Sequence, residues 1–114
     1  MKKPDELVYL EIILERCLLL ERYIRGKRME DLYEDDLLQS GVLRELEVIG
    51  EAASHISDET KRKSPETTWR IIIAMRNILA HEYFEINLEI VWNTLKHDIP
   101  MLKMQIRKLR KKLD

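Results

Sequence analysis

Leu7, Leu10, Leu14 and Cys17 recur at three- and four-residue spacing, with Ile13, Leu20 and Ile24 beside them. That is the wide apolar stripe of an amphipathic helix. Pro4 and Asp5 sit where a helix begins and Gly26 where one ends, so helix one is predicted over about Asp5 to Arg25. The segment "KRMEDLYED" reads as a connector of about one turn. Leu38, Val42, Leu46, Ile49, Ala53 and Ile56 then mark helix two. Gly41 and Gly50 lie inside it, each costing roughly 1 kcal/mol relative to alanine. Gly50 stands beside Ala53 and Ser54, a run of small side chains that predicts a tight helix contact.

"SDETKRKSPETTW" reads as the loop to helix three, with Ser64 as N-cap and Pro65 at the first helical position. Helix three then runs to His81. A break falls near "YFEIN", and Asn87 caps helix four. Val91, Leu95, Ile99, Leu102, Ile106, Leu109 and Leu113 form the seam of that last helix. Pro100 lies within it and is expected to kink it, because proline removes a backbone donor. No strand pattern, internal repeat or linker competes. The expected fold is all-α, an antiparallel four-helix bundle forming a single domain over residues 1–114.

Composition narrows the function classes. Only 3 Gly and 3 Pro interrupt the 114 residues, which favours few, long elements. Lys and Arg total 20 against 21 Asp and Glu, so any nucleic-acid contact has to be a local patch, not a basic coat. A single cysteine, Cys17, cannot form an intrachain disulfide and suits a reducing cytosol. Acidic residues interrupt the first apolar run, so no signal peptide or membrane span is expected, and the chain reads as cytoplasmic. No cysteine, histidine or carboxylate cluster has metal-ligand spacing, and no cofactor is expected.

The chemistry concentrates in "RIIIAMRNILAHEYFE", residues 70–85. At roughly 100° per residue, Arg76 and Tyr83 share a helix face, and Asn77 and His81 share another. His81 lies roughly 140° round from Arg76. The two converge on one small group only if the helix ends or distorts near Ala80, or if a two-fold dimer brings Arg76 of one subunit to His81 of the other. An arginine fork suits phosphate, and an imidazole moves protons near neutrality. With a 2′-hydroxyl as internal nucleophile, such a pair suffices to cleave RNA without metal. Asn77 would orient the imidazole or the phosphate. On eight residues alone, ordinary polar positions on a helix face remain the simpler account.

Beyond those eight residues, "RNILAHEY" matches the R-x4-H-x-Y motif and resembles HEPN domains, specifically the HepT-like family of toxin ribonucleases. "LRELEVIGEAASHIS" at 43–57 and "SPETTWRIIIAMRNILAHEYFEINLEIVW" at 64–92 resemble the family's longer signatures, so the resemblance covers nearly the whole chain. It departs at Thr68, Ala74 and Asn87, where proline, glycine and aspartate are usual. The resemblance implies a dimerising four-helix bundle and metal-independent RNA cleavage with Arg76 and His81 as catalytic residues. It also implies a partner, an MntA-type nucleotidyltransferase antitoxin that transfers AMP from ATP onto Tyr83 and silences the toxin. The rival reading is a non-catalytic module that binds a nucleotide or docks the nucleotidyltransferase.

Other polar residues carry weaker expectations. Arg44, Glu47 and Glu51 recur at helical spacing, and either brace Arg76 and line the cleft or pair in solvent. His55 and His97 read as isolated surface or helix-end histidines. Trp69 and Trp92 read as core or dimer-interface residues. The cations of "KMQIRKLRKKLD" and of Lys61 to Lys63 read as a solvated helix end and loop, or as an attraction for RNA or the partner.

Overall fold

The computed structural model describes the backbone of residues 4–81 and 86–113, and side chains for 6–76 and 86–113. Among these residues the chain is helical without strands. Helix α1 spans Pro4–Ile24, α2 Met29–Glu34, α3 Asp36–Ser54 and α4 Asp58–Lys61. Helix α5 spans Trp69–His81 and α6 Leu88–Asn93; a π turn at Thr94–Asp98 joins α6 to α7, Ile99–Leu113. The long rods α1, α3, α5 and α6–α7 are the four helices of the expected bundle. None of the described helices is long and apolar enough to cross a membrane.

Local chemistry sets most boundaries. Gly26 adopts φ +75° and stops α1 in the left-handed region that side chains disfavour. Asp35 caps α3 by accepting the Leu38 N–H at 3.1 Å. Asn87 caps α6 as expected, accepting the N–H groups of Glu89 and Ile90.

The expected start of helix three is corrected. Ser64 is not its N-cap: the Ser64 hydroxyl is buried and paired with Thr67 Oγ1 at 2.7 Å. The Ser64 carbonyl accepts from the Thr67 N–H and from Trp69 Nε1, so residues 64–67 close a turn around Pro65. The helix ladder begins one turn later, where Ile72 N–H donates to the Thr68 carbonyl. The loop also contains α4, capped by Ser57 and held to α1 through Glu6. That carboxylate accepts the Ser57 N–H at 2.6 Å and the Thr60 hydroxyl at 2.8 Å.

The stripes read from the sequence form the core: Leu10, Ile13, Cys17 and Leu20 of α1 meet Val42, Leu46 and Ile49 of α3 and Leu102, Ile106 and Leu109 of α7. Ion pairs flank it. Arg16 of α1 reaches Glu45 of α3 at 3.2 Å, and Lys103 of α7 reaches Glu21 of α1 at 2.7 Å.

Burial, seconded by the Glu21 carboxylate and opposed by Lys103, pushes the Cys17 thiol from 9.0 up to about 12. The folded state therefore keeps a proton that the unfolded chain releases above pH 9. The stability of the neutral thiol is fully present below pH 9 and is lost as pH rises towards 12, by about 1.4 kcal/mol per pH unit. Urea titrations at stepped pH are expected to show this decline in the wild type and a shallower one in Cys17→Ala. Equal slopes would remove the assignment.

Candidate active site

Helices α3 and α5 pack against each other across the Ser54–Trp69 connection, and Gly50 lies at their contact. A Cβ built there would lie 2.2 Å from Arg76 Cβ, 3.0 Å from Arg76 Cγ and 3.0 Å from the Ile72 carbonyl oxygen. Only the absence of a side chain lets α5 sit this close. The tight contact expected at Gly50 is present, and it seats the root of Arg76 directly on the α3 backbone.

The tip of Arg76 is held by the next residue of α3. Its Nη1 donates to Glu51 Oε1 at 2.5 Å, a charge-assisted bond. The arginine side chain retains 28% of its exposure, so the guanidinium is pinned without being hidden. Its Nε is buried and has no hydrogen-bond partner among the described residues. The other oxygen of Glu51, Oε2, lies 3.1 Å from His55 Nε2, one turn further along α3. The His55 ring stacks on Tyr9 of α1, with centroids 4.8 Å apart and planes 11° from parallel. Four residues from three helices thus form one chain, Tyr9, His55, Glu51 and Arg76.

Asn77 and His81 lie on α5 by backbone, but their side chains, and Tyr83 as a whole, fall outside the described residues. Helix α5 itself is continuous through His81. Its backbone is helical from Arg76 to His81, and on a regular helix His81 lies roughly 140° round the axis from Arg76.

Arg44 and Glu47 pair with each other at 3.7 Å on the exposed face of α3. They lie on the same helical stripe of α3 as Glu51. Glu51 therefore braces Arg76, while Arg44 and Glu47 make a solvent-facing pair. His55 is exposed at the end of α3 as expected, but it is not isolated. Its role was visible in principle from the Glu51–His55 spacing of four next to a helical glycine.

The remaining candidates divide. Trp69 is buried at the start of α5, and Trp92 is partly buried against the core. His97 is exposed in the π turn. Part of the basic tail is committed to structure: Lys103 and Arg110 pair with Glu21 and Glu11 of α1, and Lys112 Nζ donates to the Lys63 carbonyl at 2.7 Å. Arg107, Lys108 and Lys111 stay exposed.

Comparison with known proteins places this geometry in a lineage. The family model described as "Ribonuclease HepT-like" matches residues 13–109, which include both helices of the Gly50 contact and the whole of the R-x4-H-x-Y motif. A protein of Thermococcus cleftensis named "Probable ribonuclease HepT" is 44% identical over 103 residues, covering 90% of this chain and 94% of its own. A "Putative RNase" of Caldanaerobacter subterraneus subsp. tengcongensis is 38% identical over 112 residues, covering 98% of each chain. A Methanocaldococcus jannaschii protein named "Gamma-glutamylcyclotransferase and putative RNase" is 37% identical over 112 residues, covering 98% of this chain but 50% of its own. No solved structure gives a significant match. With most of its length matched by the family model and near full-length relatives well above 30% identity, this chain belongs to the ribonuclease HepT-like family.

Proposed function

We propose that the protein is a metal-independent endoribonuclease, the toxin of a cytoplasmic toxin–antitoxin pair, acting as a homodimer. Arg76 and His81 are its catalytic residues and Asn77 a supporting one. The observation that carries this reading is the Arg76 guanidinium, clamped at root and tip yet open to solvent, within a ribonuclease family.

The chemistry follows from the groups. The 2′-hydroxyl attacks the adjacent phosphorus, the imidazole of His81 moves its proton, and the 5′-oxygen leaves with a proton. A 2′,3′-cyclic phosphate and a 5′-hydroxyl result. Arg76 neutralises the charge that builds on the pentacoordinate phosphate. Because α5 is unbroken between the two residues, the two-fold arrangement is the favoured way to bring them to one phosphate. An apolar groove of about 160 Å³ between α5 and α7, lined by Ile71, Met75, Met101 and Leu102, offers a face for the second copy. Ile71 at its rim is 63% exposed. Sedimentation at micromolar concentration is expected to show a dimer; a monomer alone would remove the shared site.

Tyr83 of the R-x4-H-x-Y motif is the acceptor for AMP from an MntA-like nucleotidyltransferase. The bulky anionic groups would fill the cleft and compete for the guanidinium.

The test is incubation with total RNA in EDTA. The wild type is expected to cleave at an undiminished rate, and His81→Ala to lose about 10²-fold or more. Cleavage that needs Mg²⁺ would overturn the chemistry. RNA or nucleotide binding without cleavage would select the non-catalytic module.

A further inference from the structure

We propose that Glu51 is a positioning residue that holds Arg76 in its phosphate-facing pose, and that His55, backed by Tyr9, holds Glu51. This rests on Arg76 being catalytic. Both ends of the arginine are referred to one turn of α3: its Cβ is seated where Gly50 has no side chain, and its Nη1 is bonded to Glu51 at 2.5 Å. The carboxylate is itself fixed from two sides, by Arg76 on Oε1 and by His55 on Oε2 at 3.1 Å. The His55 ring cannot swing freely, because it lies flat against Tyr9. Glu51 takes one of the five guanidinium N–H donors and Nε is buried, which leaves the remaining Nη protons to phosphate oxygens.

A carboxylate beside a phosphate site repels the substrate. Its presence is useful only if fixing the arginine in the transition state outweighs that repulsion. The two effects separate in kinetics: loss of positioning lowers kcat, whereas removal of a negative charge leaves KM unchanged or lowers it. A residue that merely supported the fold would give no such split.

The experiment compares Glu51→Ala, Glu51→Gln and His55→Ala, each verified as folded at the assay temperature by circular dichroism. Glu51→Ala is expected to lower kcat tenfold or more with KM no higher than wild type. Glu51→Gln keeps an acceptor oxygen of the same reach and should retain kcat within threefold. His55→Ala should fall between them. A loss of less than threefold in Glu51→Ala, or a glutamine variant no better than alanine, overturns the proposal.

A second readout needs no RNA. The Arg76 Nε–Hε resonance, identified by its disappearance in Arg76→Lys, should have an order parameter near about 0.85 in the wild type and below about 0.6 in Glu51→Ala. If the wild type cleaves no RNA yet this signal loosens in the variant, the ribonuclease reading fails and the brace stands. If the signal is unmoved, the brace fails whatever the protein does to RNA.

Discussion

Gly50→Ala is expected to lose more activity than stability. Its new methyl would meet Arg76 Cβ at 2.2 Å and the Ile72 carbonyl at 3.0 Å. Neither the root of a side chain nor a helix carbonyl can swing away, so α5 must move off α3. Such overpacking costs about 1–3 kcal/mol, occasionally more, and the relieved helix penalty of glycine returns roughly 1 kcal/mol. The net of about 0–2 kcal/mol lowers the melting temperature by up to about 10 °C for a chain of this size. The displacement falls on Arg76, and in the catalytic role proposed for it a 1 Å error costs on the order of 10²-fold. Gly41→Ala is the control. There the nearest atom is Cε2 of the half-buried Tyr23 ring at 3.3 Å, which can turn. That variant should match or exceed the wild type in melting temperature. Thermal denaturation of both, with cleavage assayed well below either transition, decides the matter. Gly50→Ala as stable and active as Gly41→Ala would show that the close approach is not needed.

In cells, the largest effect is expected from a single oxygen. Tyr83→Phe keeps the ring and removes only the hydroxyl, so on the proposed roles fold and cleavage should survive while the acceptor for AMP is lost. Growth should then stop even with the nucleotidyltransferase co-expressed, whereas Arg76→Ala and His81→Ala should be harmless with or without it. Intact-mass measurement after incubation with partner and ATP should show added AMP on the wild type and none on the phenylalanine variant. AMP on that variant would sink the assignment of Tyr83. Full rescue of it by the partner would mean that neutralisation works by binding alone.

The four rods were legible because each carries an unbroken apolar stripe, and Gly50 was legible because a glycine amid small residues on a helix has few other uses. The start of α5 was misread for a physical reason. Ser64 and Pro65 have the right chemistry for a helix start, but the serine hydroxyl finds Thr67 first and closes a turn instead. A local propensity lost to a local hydrogen bond, which spacing does not rank. The site was legible only in part. Arg76 stood out as a cation at the end of an apolar helix, and its partner Glu51 was one of three candidates on a polar face. The choice among them depends on which turn of α3 lies under α5, a tertiary fact that Gly50 encodes only once the two helices are known to cross there.

The π turn at Thr94–Asp98 reaches beyond this site, into how the chain can change in length. From Val91 through Leu95 to Ile99 the buried seam advances by 4 and 4 residues, one more than the seven of a heptad. A regular α-helix would carry Ile99 roughly 80° out of line with Val91. The wider turn takes up the surplus residue and closes on the Ile99 N–H to Thr94 carbonyl bond, immediately before Pro100 withholds its own donor. Deleting one exposed residue there, such as Lys96, would leave an ordinary turn and the downstream seam of α7 still facing α1. The same deletion in the middle of α3 would rotate everything after it by roughly 100° and turn core positions to solvent. The wide turn is the place where the bundle can give a residue back.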